Sequence, residues 1–179
     1  PGDAALNAFA DCYPPVRLGL FAANAPCRPL SYATATYHGV HAFTVVAGPV
    51  RRSARFDWEP IAGVRAAGPG VDGNYMRAEL RDRLHRERIQ FVLRMTLAEQ
   101  GDDTSDSTTA WPNRRPRVTM GDLWIDALAA DQLHGGELLD FDPLRLIPGI
   151  EASDDDILAA RSAVYARSVK RRLPVHGIT

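Results

Sequence analysis

Residues 31–48 read SYATATYHGVHAFTVVAG, and this stretch constrains the chain more than any other. Ala33, Ala35, Tyr37, Gly39, His41, Phe43, Val45 and Ala47 fall on one side of a period-two pattern, which predicts a long β-strand. Gly39 in the middle of that strand predicts a bend or a close backbone approach. His41 lies on the more apolar side, where the residues alone read it as a hydrogen-bonded core histidine. Gly48-Pro49 turns the chain, and ARFDWEP then places Phe56 and Trp58 on one face and Arg55, Asp57 and Glu59 on the other. The two runs predict an antiparallel hairpin.

Two more strands follow. RIQFVLRMTL puts Ile89, Phe91, Leu93, Met95 and Leu97 on one side, and RVTMGDLWI is interrupted at Gly121. Between the hairpin and the third strand, Pro69 to Asn74 is Gly-rich, and YMRAELRDRLHRER carries Met76, Leu80 and Leu84 at i, i+4 spacing, a helix with one apolar edge. Ahead of the first strand, Ala4 to Asn24 reads as two short helical pieces split at Pro14-Pro15. The polar segment AEQGDDTSDSTTAWPNRRP is too long for a plain turn, which points to a functional or interface role. GELLDFDPLRLIPGIEASDDD reads as mostly irregular. Long strands early and a helix late predict an α+β fold with an antiparallel sheet.

The late helix is SDDDILAARSAVYARSVKRRL, Ser153 to Leu173. Ser153 is the expected N-cap, with Asp156 completing a weak capping box. Acidic residues crowd the start and basic ones the end, as the helix dipole favours. Ile157, Leu158, Val164, Tyr165 and Val169 define one face. Arg161 and Arg172 project near the centre of that face, and Arg161 lies one turn before Tyr165. A guanidinium there keeps its proton and needs an anion. Two readings are open. Arg161 snorkels to the rim or meets a core carboxylate, which pattern alone favours. Otherwise the anion is Tyr165 itself. A phenol ordinarily ionises near pH 10, so a phenolate at neutral pH needs roughly 4 kcal/mol of differential stabilisation. A ferric iron on the oxygen, helped by the arginine, would supply it.

At 179 residues the chain is sized for a single domain. A net charge of −1 gives no nucleic-acid surface, and no apolar run approaches a membrane span. Cys12 and Cys27 have no CxxC spacing, so they suggest neither a zinc site nor c-type haem attachment.

Four segments, in this order, resemble the catalase family of haem proteins. YHGVHAFTVV is similar to the family's Gly-x-His-x-Phe strand, filled by Gly39, His41 and Phe43, and FDWEPIAGV to the strand after it. TTAWPNRRPRVTMGDLWI resembles a T..WP segment leading into a strand. FDPLRLIPGIEASDDDILAARSAVYARSVKRR resembles an FDP…PGIE.S.D approach to a helix carrying Arg-x-x-x-Tyr. The resemblance runs from about Ser31 to Arg172 and looks closest to the small catalase-related peroxidases. It implies an antiparallel β-barrel of the catalase type, partly represented, and haem b as cofactor. It implies that Tyr165 is the proximal iron ligand and that Arg161 keeps its oxygen anionic. Asp155 and His41 would lie near Arg161 as supporting groups, and Arg172 near a haem propionate or another acidic group. Val169 departs from the histidine of long-chain catalases, which suits the smaller branch. The substrate implied is hydrogen peroxide, with a small organic electron donor as second partner; a homo-oligomer and either a cytoplasmic or a periplasmic location stay open.

The distal histidine and asparagine of the family lie upstream of the matching region. Of the five histidines, His38 points opposite to His41, His85 sits among charges on a helix, and His134 and His176 are in polar or terminal surroundings. No catalytic residue is therefore assigned. The expectation is a single catalase-like domain over 1–179, the later portion of a longer protein. The alternatives are a haem-binding module without turnover and a relic domain that binds nothing.

Overall fold

The computed structural model describes residues 3–13, 28–68, 73–129 and 141–172. The elements are α1 (Asp3–Cys12), β1 (Tyr37–Ala47), β2 (Val50–Pro60), α2 (Tyr75–Leu84), β3 (Ile89–Leu97), β4 (Arg117–Ile125), β5 (Ile150–Ala152) and α3 (Asp156–Arg172). The five strands form one antiparallel sheet in the order β4-β3-β2-β1-β5. The fold is α+β, as expected. Among the described residues the sheet is open, with β4 and β5 at its edges, and does not close into a barrel. The second N-terminal helical piece, most of the Gly-rich loop, Cys27, His134 and His176 lie outside the described residues.

The long period-two stretch divides in two. Tyr32–Thr34 is a single 3-10 turn, because Ser31 and Thr34 form a reciprocal capping box: Ala33 N donates to Ser31 Oγ, and Ser31 N to Thr34 Oγ1, each at 3.0 Å. Strand β1 starts only at Tyr37. Its register with β2 slips after Gly39, which pairs with Phe56, while Phe43 pairs with Ala54. Val40, His41 and Ala42 therefore face Arg55 alone, a bulge. Gly39 is required there, since a Cβ at this position would lie 2.6 Å from the Phe56 carbonyl oxygen. The bulge buries two consecutive residues, His41 (6% exposed) and Ala42 (1%), which simple alternation does not allow.

Register assigns the two faces of the sheet. Ala54, Phe56 and Trp58 oppose Leu97, Met95 and Leu93, giving the apolar face. Its centre is Ala33, Ile89 and Phe91, with Trp58, Ile125 and the α2 residues Leu80 and Leu84 packed on it. On the other face Arg94 and Arg117 both reach Glu59, at 2.9 and 2.7 Å, and His38 Nδ1 lies 2.8 Å from Asp57. Met120 is an extra residue in β4, next to the expected interruption at Gly121.

The segment before α3 is less irregular than its composition suggests. Ile150–Ala152 forms β5 along Phe43–Val45, and Val46 N donates to Gly149 O at 2.8 Å. Gly149 has φ +91°, a conformation that favours glycine.

Candidate functional site

The helix start differs from the Ser153 expectation. Asp155 is the N-cap: its Oδ1 accepts from Ile157 N at 2.8 Å and Leu158 N at 3.2 Å. Ser153 Oγ is buried without a hydrogen-bond partner, and Asp156 is the one acidic residue of the first turn. The S-x-x-D signal was ambiguous because any of three consecutive aspartates could cap. The buried stripe also differs. Ile157 and Val164 are 52% and 64% exposed, whereas Leu158 is fully buried and Arg161, Ser162, Tyr165 and Val169 are half-buried. Leu158, Tyr165 and Val169 of the expected face, with Arg161 among them, thus lie on the more buried side, and Ile157 and Val164 fall outside it.

Two side-chain pairs meet here. Asp155 Oδ2 lies 2.6 Å from His41 Nδ1, both buried, so one carboxylate uses one oxygen on the helix and the other on the strand bulge. Burial pushes the Asp155 carboxyl up, but the bonds from His41 and from the Leu158 and Ile157 amides outweigh it and hold it below the ordinary carboxylate value. One turn along the helix, Arg161 Nη2 donates to Tyr165 Oη at 3.2 Å, with the guanidinium carbon 5.6 Å from the ring centroid. Arg161 and Tyr165 thus share one side of α3. Among the described residues no hydrogen bond joins one pair to the other. Arg172 closes α3; its side chain lies outside the described residues.

Two cavities are lined by other residues. One, about 1180 Å³, runs along the polar sheet face between Arg55, Asp57, Arg117 and the loop at Thr108–Asn113. The other, about 280 Å³, is apolar and lies between α2 and the sheet, against Trp58, Phe91 and Leu84. Neither includes Tyr165 or Arg161 in its walls, so the reading of the site rests on the donor pair rather than on either cavity.

The family model for catalases matches residues 27–177. The chain belongs to the catalase family. Among relatives of this catalase-family chain, the catalase-related peroxidase of Mycolicibacterium paratuberculosis is 37% identical over 152 residues, covering 82% of this chain and 48% of that protein. The catalase-related peroxidase of Synechococcus elongatus is 31% identical over 179 residues, covering 96% and 52%. The chain spans about half the length of both. Catalase A from Saccharomyces cerevisiae superposes with a TM-score of 0.73 at 17% identity over 81% of this chain and 33% of that one, a likeness of fold. The α+β assignment and the catalase-type sheet agree with that likeness.

Proposed function

We propose that this chain supplies the proximal side of a haem b centre in a catalase-like peroxidase acting on hydrogen peroxide, with a small organic molecule as electron donor. The observation that carries the reading is the Arg161–Tyr165 contact at 3.2 Å on one helix face. The donor set fits the group. A phenol oxygen is a hard ligand suited to ferric iron, and a guanidinium that keeps its proton is the neighbour that favours the anionic oxygen. Haem iron, when bound, supplies the redox chemistry that breaks the O–O bond of peroxide. Tyr165 would hold the iron. Arg161 donates its hydrogen bond to the phenol oxygen. Asp155 and His41 hold the start of the helix that carries Tyr165, and Arg172 would be the residue to meet a propionate or another acidic group.

No residue of this chain is assigned to proton transfer on peroxide. His38 is paired with Asp57 on the polar sheet face, His41 is bonded to Asp155, and His85 is exposed at the end of α2. These engagements favour a second reading for the 179-residue chain by itself, a haem-binding module without turnover.

Hemin titration followed by visible absorption tests the proposal. A tyrosinate-type ferric spectrum that disappears in Tyr165→Phe is the expected result. An unchanged spectrum on adding hemin would leave a relic domain. Peroxide consumption above that of free hemin separates turnover from binding alone.

A further inference from the structure

The apolar cavity between α2 and the sheet lies apart from the Tyr165 site, and its walls are held in place. Ala33, Ile89 and Phe91, all buried, form its floor, and Leu80 and Leu84 of α2 form one side. Two bonds fix α2 beside the 3-10 turn. Ser31 Oγ donates to the Glu79 carboxylate, and Tyr75 Oη donates to the Pro29 carbonyl at 2.6 Å. Neither Glu79 nor Tyr75 lines the cavity, so polar contacts outside it set the distance between its apolar walls. Tyr37 is fixed as well. Its hydroxyl donates to the Tyr32 carbonyl at 2.7 Å, and its ring meets Phe91 edge-on with 5.7 Å between centroids.

The wall selects by chemistry. Among the described residues no charged side chain lines it, while Tyr32, Tyr37, Trp58 and Phe91 supply four aromatic rings. An anion here would lose its water without gaining a partner. Burial, and then the nearby Tyr32, push the Tyr37 phenol above its ordinary value, which agrees. At about 280 Å³ the cavity sits at the lower end of small-molecule sites, so it suits a single ring. Rings prefer offset or edge-to-face aromatic neighbours, which this wall offers. One polar group is left over. Tyr32 is 44% exposed at the rim, and its hydroxyl has no hydrogen-bond partner among the described residues.

We infer that this cavity binds a neutral one-ring phenol, its ring among Tyr37, Trp58 and Phe91 and its hydroxyl bonded to Tyr32 at the rim. The binding claim rests on the cavity alone. That such a molecule serves as the organic electron donor would rest on the peroxidase reading above.

Fluorine NMR of the full chain without hemin, with 4-fluorophenol as probe, tests the site. A saturable shift of the fluorine resonance is expected, and none with the charged 4-fluorobenzoate. Leu84→Trp on α2 and Leu123→Trp on β4 fill the cavity from two different walls. Each is expected to weaken 4-fluorophenol binding about tenfold. Using two walls keeps the test intact if circular dichroism shows that one variant has lost its fold. Tyr32→Phe is expected to weaken 4-fluorophenol about fivefold, the worth of one neutral hydrogen bond, and to leave 4-fluorotoluene unchanged. The absence of a saturable shift overturns the site, as does binding indifferent to both tryptophans in folded protein. Equal binding of 4-fluorobenzoate, or no effect of Tyr32→Phe, overturns the assignment to a neutral phenol. Sedimentation velocity covers the other occupant: self-association abolished by Leu123→Trp would give the cavity to a second copy and overturn the proposal. Hemin spectra on the same proteins keep the claims apart. Saturable phenol binding with a spectrum indifferent to Tyr165→Phe leaves the cavity site standing and removes the haem reading. A Tyr165-dependent spectrum without phenol binding removes only the cavity site.

Discussion

The loop between β3 and β4 and the helix α3 are held in opposite ways. The loop has no regular structure, yet Arg115, with a 7% exposed side chain, donates to both oxygens of Asp102 at 2.7 Å and also reaches Glu99. Asp103 Oδ1 accepts from the Ser105 and Asp106 amides, Trp111 Nε1 donates to Asp103 O, and Arg55 donates to the Thr109 and Asp106 carbonyls while stacking 4.3 Å from the Trp111 ring. Helix α3 is fully regular, yet Leu158 is the one buried side chain among residues 156–171, and a single carboxylate, Asp155, bonds its start to the sheet. Regularity satisfies a segment's own backbone and says little about how it is anchored. An irregular segment must find partners for its polar groups elsewhere, and here that requirement ties it down.

Breaking the loop's anchor is expected to have the largest effect. Arg115→Ala leaves Asp102, whose side chain is 4% exposed, without its counter-charge and with the Glu99 amide as its remaining hydrogen-bond donor, and should release residues 99–116 together with a clear fall in melting temperature. Hydrogen exchange confined to background levels in that loop would reverse the comparison. On the helix side, Leu158→Ala removes the one buried apolar anchor and should cost about 2–5 kcal/mol in urea unfolding. A smaller loss would mean that the Asp155 bonds carry most of the attachment. Gly39→Ala should cost about 1–3 kcal/mol through the clash with the Phe56 carbonyl, measurable in the same titration.

Acid sharpens the contrast. Arg115, followed by the Glu99 amide, holds the Asp102 carboxyl at about 2, below its ordinary 3.8. A depressed folded value contributes stability that is complete above the ordinary value and is lost as pH falls through the folded one. The loop should therefore stay resistant to pepsin near pH 3 and open toward pH 2. Asp155 is also held low, so α3 should loosen on the same side of neutrality rather than in alkali. The smallest effect is expected at Arg51, whose pairing with Glu151 is solvent-exposed on both sides; Arg51→Ala should leave the melting temperature unchanged within error.

Much of the sheet was legible in sequence because one face of each strand is buried, and period-two alternation then survives in the residues. Phe56 and Trp58 against Arg55, Asp57 and Glu59, and the Ile89–Leu97 row, lie on the faces that alternation assigns. Gly39 announced the close approach. Alternation could not announce the residues it displaces, because a bulge abolishes the pattern that defines a face. Strand β5 was hidden by its length of three residues among turn formers. At the site, the i, i+4 spacing of Arg161 and Tyr165 was legible, since helix geometry fixes it. The capping residue was not, because Ser153 and the aspartates after it offer similar local chemistry, and only the distant His41 selects Asp155. The loop's length was visible, but its anchorage depends on Arg115 meeting Asp102 across thirteen residues, a pairing that carries no periodic signature.

The central claim is that the Tyr165 oxygen is an iron ligand. Resonance Raman spectroscopy of the hemin-loaded chain, excited in the phenolate-to-iron charge-transfer band, tests it directly. The account predicts phenolate modes that shift when ring-deuterated tyrosine is incorporated and that are absent in Tyr165→Phe. Hemin-loaded protein with no such modes, or with modes that persist in Tyr165→Phe, would contradict it.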